Sequence, residues 1–284
     1  MKKSMSAELV IVTGASTGIG RASAEALLRA GYRVAACVRK EKDFWQAEGL
    51  TPVILDVCDA KSIEAAIARL KKDLDSATRV HLVNNAGIAV SGPIEGVPVA
   101  KWREQFEVNV FGLVAVSQAF MPWIRQSRGR LVNISSISGR ATSPFLGPYS
   151  ASKFAVEAIS DAMRRELARF GVTVVVIEPG PIATPIWEKN FSKLEAELAA
   201  LGPKMVELYG PEMRRFAEMA QDSARDAVPV ESVSRIVLKA IQLEKPRTRY
   251  VVGKSGLPAQ VMMADFLPDR WLDSMIAKGF MRKE

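Results

Sequence analysis

Seven short runs rich in valine, isoleucine and leucine recur along the 284 residues, at 9–13, 33–38, 52–56, 80–84, 130–134, 172–177 and 249–252. None shows the polar alternation of a half-exposed strand, so each reads as a strand covered on both faces. Between them the apolar residues switch to a helical period, most clearly over 21–30, 60–74 and 150–170. Parallel strands need crossovers of that length to return to the same edge of a sheet. The alternation predicts an α/β fold: one doubly wound (Rossmann-type) parallel sheet of about seven strands with helices on both faces. A chain of this size lies near the upper limit for one hydrophobic core, so residues 1–284 read as a single domain.

The rhythm breaks once. Over 185–229 no strand signal occurs, and Phe191, Leu194, Leu198, Leu201, Met205, Leu208, Tyr209, Met213 and Phe216 sit at helical spacing. Helices inserted ahead of the last strand are expected over the carboxyl edge of the sheet, where open α/β folds bind ligands. The segment is read as a substrate lid, with a helical pair packed on the body, or an oligomer contact, as the alternatives. A tail follows over 254–284.

Counts remove several chemistries. Cys37 and Cys58 are the only cysteines and His81 the only histidine, too few for a Cys/His zinc site and a narrow base for a Ser-His-Asp triad. His81 lies inside the fourth strand and reads as an ordinary strand histidine. The net charge of +8 concentrates anions of every kind and selects none of them. No aromatic or basic module supports a nucleic-acid role. The start lacks the apolar stretch of a secretory signal, and residues 112–124 are interrupted by Ser117, Gln118 and Pro122. A cytoplasmic protein is expected, with a peripheral membrane contact through 257–275 as the less favoured alternative.

The first strand runs into Thr13, Gly14, Ala15, Ser16, Thr17, Gly18, Ile19 and Gly20, followed at once by an alanine-rich helix. Glycines at such a junction let the backbone approach a pyrophosphate, while the amides and positive end of the helix stabilise its charge. The spacing differs from the general dinucleotide fingerprint, but its place after strand one still points to a dinucleotide. Strand two ends at Val38 and is followed by Arg39 and Lys40. An acid there would accept from ribose hydroxyls and repel a 2′-phosphate; two cations favour NADP(H), with NAD(H) the second option. Asp56, followed by Val57 at the end of strand three, is placed to accept from the adenine amino group; the alternative is a turn residue. Further along, Tyr149 and Lys153 open a helix four residues apart, which places phenol and ammonium on one face. A fixed cation favours the phenolate and brings proton transfer within reach. Ser135 and Ser136 close strand five at the same sheet edge.

Taken together, these motifs resemble the short-chain dehydrogenase/reductases in their compact single-domain form, over about 9–184. The order is Thr13, Gly14, Gly18 and Gly20, then Asn84-Asn85-Ala86-Gly87, Asn109, Ser136 thirteen residues before Tyr149, Lys153, and Pro179-Gly180-Pro181-Ile182-Ala183-Thr184. The resemblance implies an enzyme in which Tyr149 exchanges a proton with the substrate oxygen, Ser136 hydrogen-bonds that oxygen, and Lys153 holds the nicotinamide ribose and lowers the phenol's proton affinity. It further implies that Asn109 supports a water leading protons from Lys153, that Asn85, Ala86 and Gly87 line the cofactor cleft, and that Pro179, Gly180, Ile182 and Thr184 form the nicotinamide loop, the last two anchoring the carboxamide. Many NADP-binding relatives carry a basic residue just before Gly18; this chain has Thr17, so phosphate selection falls mainly on Arg39. The lid and tail look like the branch with retinol and hydroxysteroid dehydrogenases. That suggests an apolar alcohol or ketone as substrate, with Trp187, Phe191, Met205 and Tyr209 in the pocket. A family-like homodimer or homotetramer would pair the faces of 109–126 and 150–170. A dinucleotide-binding regulator without turnover remains the alternative to an enzyme.

Overall fold

A computed structural model describes residues 6–184, 194–225, 227–264 and 266–280. Strands β1 (Glu8–Thr13), β2 (Arg33–Val38), β3 (Leu50–Ile54), β4 (Arg79–Asn84), β5 (Arg130–Ile134), β6 (Thr173–Pro179) and β7 (Arg249–Val252) form one sheet in the order β3-β2-β1-β4-β5-β6-β7. Every neighbouring pair is parallel. The order reverses between β1 and β4, which opens a crevice at their carboxyl ends.

Two strands depart from their expected bounds by more than one residue. Expected over 52–56, β3 instead pairs from Leu50 and ends at Ile54. It is an edge strand, where Leu50 and Thr51 are only half-buried and Pro52 needs no inner N–H partner, so no apolar block marks its start. Expected over 172–177, β6 runs on through Glu178 and Pro179, which pair with Val251 and Val252. A carboxylate inside a strand hides that extension from any apolar pattern.

Each face of the sheet carries its own core. On one, helices α2 (Ala60–Ser76), α4 (Gly112–Gln126) and α5 (Gly147–Leu167) bury Ile63, Leu70, Phe120, Ile124 and Leu167. On the other, α1 (Gly18–Arg29) and α8 (Val230–Gln242) bury Leu27, Val233 and Val237. Fully burying one such side chain contributes about 1.5–3 kcal/mol, so these faces supply the main driving force of folding. A continuous helical stretch combines α3 (Val99–Phe106), a widened turn over Glu107–Phe111 and α4; by length and composition it would suffice to cross a membrane. Its inner residues Val116, Phe120 and Ile124 are instead fully buried against the sheet. Ser117 does not interrupt it, because its hydroxyl accepts from Asn84 Nδ2 at 2.9 Å inside the protein.

The break in the strand rhythm is helical where described, with α6 (Leu194–Ala200) and α7 (Pro203–Arg225) ahead of α8, and α9 (Leu257–Ala264) and α10 (Asp269–Phe280) after β7. His81 lies in β4, fully buried, with Nε2 3.0 Å from Glu8 Oε2 at the start of β1. That pair belongs to the amino edge of the sheet, away from the crevice. Burial pushes the imidazole below its ordinary value, with Glu8 pulling the other way. Cys37 is buried, its thiol pushed up to about 12 by burial, and both cysteines are free.

Candidate active site

A cavity of about 900 Å³ occupies the carboxyl edge of the sheet. One end is built on the turn after β1, where Gly14 and Gly18 hold φ of +64° and +56°, a left-handed conformation that side chains disfavour. The turn is pinned from β4: Thr13 Oγ1 accepts from the backbone N–H groups of Asn85 (2.9 Å) and Ala86 (3.0 Å), and Asn85 Nδ2 donates to Thr13 O (2.9 Å) and Gly14 O (3.1 Å). Thr17 makes no side-chain cap, which leaves the first amides of α1 for an anion. A Cβ on Gly14 would stand 2.9 Å from Ala86 Cα, so the cradle is a shape only glycine leaves open. These features fit a dinucleotide's pyrophosphate.

Gly14, Ser16, Thr17, Gly18 and Ile19 all line the cavity; Gly20 does not. Gly20 permits packing instead: a Cβ there would meet Gly14 O at 2.3 Å and Asn85 Nδ2 at 2.4 Å. Gly20→Ala should therefore destabilise the fold by about 1–3 kcal/mol and weaken dinucleotide binding with it. Thermal denaturation and fluorescence titration would check both, and an unchanged melting curve would contradict the contact.

Beyond β2, Arg39 and Lys40 are exposed and line the cavity, and Lys42 joins them. Among the described residues Arg39 and Lys40 form no ion pair. Arg21, by contrast, is taken up locally: its guanidinium stacks 3.7 Å over the Trp45 ring and pairs with Glu25 at 2.6 Å. Asp56 and Val57 line the cavity just past β3, not within it. The Asp56 carboxylate accepts from Cys58 N at 3.0 Å, so it does close a turn while facing the crevice.

The reacting end gathers side chains from β5 and α5. Pro148 starts the helix, Tyr149 lies in its first turn, and Lys153 follows one turn later, all three buried. Ser136 and Tyr149 both line the cavity, and Ser136 Oγ donates to Pro179 O at 3.5 Å and accepts from Ser138 N at 3.1 Å. Ser135 faces elsewhere: its Oγ is buried without a hydrogen-bond partner among the described residues, 3.1 Å from where a Gly139 Cβ would stand. Lys153 Nζ donates to Ile134 O at 2.8 Å and lies 5.8 Å from the Tyr149 ring centre. Burial lowers Lys153 to about 8, opposed by Glu157. Burial also raises the Tyr149 phenol above its ordinary value, with the Ser136 hydroxyl acting the other way, so burial opposes the lowering expected from Lys153. Both groups lose water together, and the ammonium spends its hydrogen bond on a backbone carbonyl.

Asn109 sits in the widened turn, buried and behind the cavity wall, with Oδ1 accepting from Ile88 N (2.9 Å) and Nδ2 donating to Ile88 O (3.0 Å) and Ser152 Oγ (3.1 Å). Its amide clamps the strand that carries Asn85, Ala86 and Gly87, all three of which line the cavity. Pro179, Gly180, Ile182 and Thr184 line the opposite wall after β6. Of the pocket residues expected from the lid, Trp187 and Phe191 lie outside the described residues. Met205 packs on Gly96, and Tyr209 donates to Glu95 Oε2 at 2.7 Å, so neither lines the cavity. Leu201 and Met213 do, with Ala200. They share the helical stripe of the expected lid, but periodicity alone does not say which stripe members face a ligand.

A doubly wound sheet with a glycine cradle at its switch point, and a Ser-Tyr-Lys group beside it, defines a nucleotide-binding α/β protein. The sequence profile of the short chain dehydrogenase family matches residues 8–195, and the chain belongs to that oxidoreductase family. It is 38% identical over 282 residues to an NADPH-dependent 3-dehydrocapnine reductase of Ornithobacterium rhinotracheale, covering 96% of this chain and 97% of the relative. It is 35% identical to retinol dehydrogenase 7 of Rattus norvegicus over 96% of this chain and 89% of the relative. A short chain dehydrogenase from Burkholderia cenocepacia, solved in complex with NADP, superimposes with a TM-score of 0.70 at 26% identity, covering 96% of this chain and 99% of that one.

Proposed function

We propose that the protein is an NADP(H)-dependent oxidoreductase that interconverts a ketone and an alcohol on an apolar substrate, with Tyr149 as the general acid or base. The observation that carries this reading is that Ser136, Tyr149 and Lys153 line one end of a cavity whose other end presents Arg39, Lys40 and Lys42. The bound nicotinamide supplies the hydride in reduction and takes it up in oxidation. Ser136 holds the substrate oxygen, and Tyr149 delivers a proton to it as negative charge builds there. Lys153 fixes the ribose and presents positive charge to the phenol, while Asn109 keeps the Asn85–Gly87 wall in place. Val97, Leu201 and Met213 give the substrate end an apolar lining. The names of the reductase and retinol dehydrogenase relatives support the reaction, and that of the reductase supports the cofactor.

The same reading has the protein act in the cytoplasm as a dimer or tetramer, through the helix faces where Phe111 and Phe154 are exposed. A panel of long-chain aliphatic, steroid and retinoid ketones and alcohols, assayed with both nicotinamide cofactors, tests the activity. Turnover of an apolar carbonyl with NADPH is expected. Tight binding of NADPH with no turnover across the panel would instead indicate a dinucleotide-binding regulator.

A further inference from the structure

More charge is buried behind Lys153 than the reaction above uses. Glu157 lies one helical turn past Lys153 on α5, the same spacing that separates Lys153 from Tyr149. Glu157 is 7% exposed and Glu178, in β6 beside the nicotinamide loop, is 0% exposed. The two are joined by Arg249 of β7: its Nε donates to Glu157 Oε2 at 3.0 Å and lies 3.3 Å from Glu178 Oε1. Glu178 Oε1 also accepts from Arg140, on the loop after Ser136, at 3.2 Å. Glu157 Oε1 and Glu178 Oε2 are buried without a hydrogen-bond partner among the described residues. Half-satisfied carboxylates are an expensive way to pack a core, since apolar residues of similar volume fill such space as well or better. One turn back from Glu157 stands the Lys153 ammonium, whose hydrogen bond goes to a neutral carbonyl, Ile134 O.

We propose that Glu157 is a positioning residue of the reaction: its carboxylate, held in place by Arg249 of the last strand, keeps Lys153 in the ammonium form while Tyr149 transfers its proton. The inference rests on the roles given to Tyr149 and Lys153 above. Along its own helix Glu157 stands one turn from Lys153 and one from Asp161; from β7 it meets Arg249, which also pairs with Asp161 at 2.8 Å, and from β6 Glu178. Arg140 enters through Glu178, and Arg164 and Arg165 through Asp161. Around Lys153 stand Tyr149, Glu157 and, beyond β5, Ser136. The sign of each perturbation follows. Removing the Glu157 charge disfavours the ammonium, so Lys153 loses its proton at lower pH. Removing the Arg249 charge leaves the Glu157, Asp161 and Glu178 carboxylates without that cation, so the ammonium is favoured and the proton is lost at higher pH.

The test uses the full chain and two readouts. One is the alkaline limb of the pH profile for NADPH-dependent carbonyl reduction, where loss of the ammonium ends activity. The other is the titration of a 13C-dimethylated Lys153 resonance, assigned by its absence from Lys153→Arg, which needs no turnover. Glu157→Gln should move both to lower pH by about one unit. Arg249→Gln should move both the opposite way, Glu157→Asp should recover most of the shift, and Glu166→Gln, an exposed carboxylate on the same helix, should move neither. A Glu157→Gln protein too unstable to titrate leaves the decision to Arg249→Gln. Shifts of one sign in both variants, or no shift, would overturn the proposal. A resonance that shifts as expected in a chain that turns over no carbonyl would uphold the coupling and reject the enzymatic reading.

Discussion

Tyr149→Phe is expected to lower kcat by about a thousandfold while leaving NADPH affinity within about twofold of the parent, because it removes one proton donor and no cofactor contact of comparable strength. A positioned general acid supplies roughly 10²- to 10⁴-fold, and the phenol has no neighbour able to replace it: Ser136 is a far weaker acid, and Lys153 donates to Ile134 O. The ring itself is retained, so the loss in stability should stay near the net value of one hydrogen bond, about 1 kcal/mol. Stopped-flow reduction with NADPH, alongside a binding titration by cofactor fluorescence, separates the two effects. Activity close to that of the parent would remove Tyr149 from the mechanism.

The second large effect lies at the other end of the cavity. Arg39→Asp should reverse the NADP-over-NAD preference by about a hundredfold in kcat/KM. A charge-assisted hydrogen bond to a phosphate contributes roughly 1.5–3 kcal/mol, and each 1.4 kcal/mol is a factor of ten. The new carboxylate adds repulsion toward a 2′-phosphate and an acceptor for ribose hydroxyls. Lys40 and Lys42 still line the cavity, so part of the phosphate affinity should survive, and the triple replacement should remove it. Steady-state kinetics with each cofactor decides the matter. An unchanged ratio would place phosphate recognition elsewhere on the chain.

The strands were legible wherever both faces are covered. The bounds of β2 and β5 match the apolar runs, because burial on both sides writes a nearly uninterrupted apolar block; β7 matches too, although Arg249 and Val251 are only half-buried. Where one condition lapses the signal lapses too, as at the half-exposed start of β3 and at Glu178 inside β6. The glycine turn and the Tyr149–Lys153 pair were legible for a related reason. Their geometry is local, set by left-handed backbone angles in one case and by one helical turn in the other.

Other features needed the assembled sheet. Asn85 reads as a wall residue, yet its amide ties down a turn more than seventy residues upstream, at Thr13 and Gly14. Asn109 ties its amide to Ile88 and Ser152, both far from it in the chain. In the helical segment ahead of α8, Leu201 and Met213 reach the cavity while Met205 and Tyr209, on the same stripe, pack against the segment at Glu95 and Gly96.

The amino-acid order by itself thus determined the alternation of strands and helices, the dinucleotide turn and the spacing of the acid–base pair, since each depends on neighbours a few residues apart. Only the tertiary structure decided which serine acts on the phenol, which residues of the helical segment face the cavity, and that Arg249 joins Glu157 to Glu178. Those pairings depend on strand order, which brings β7 beside β6 and under α5. Charges separated by 92 residues in the chain acquire an interaction energy only once the sheet has closed and water has been excluded from between them.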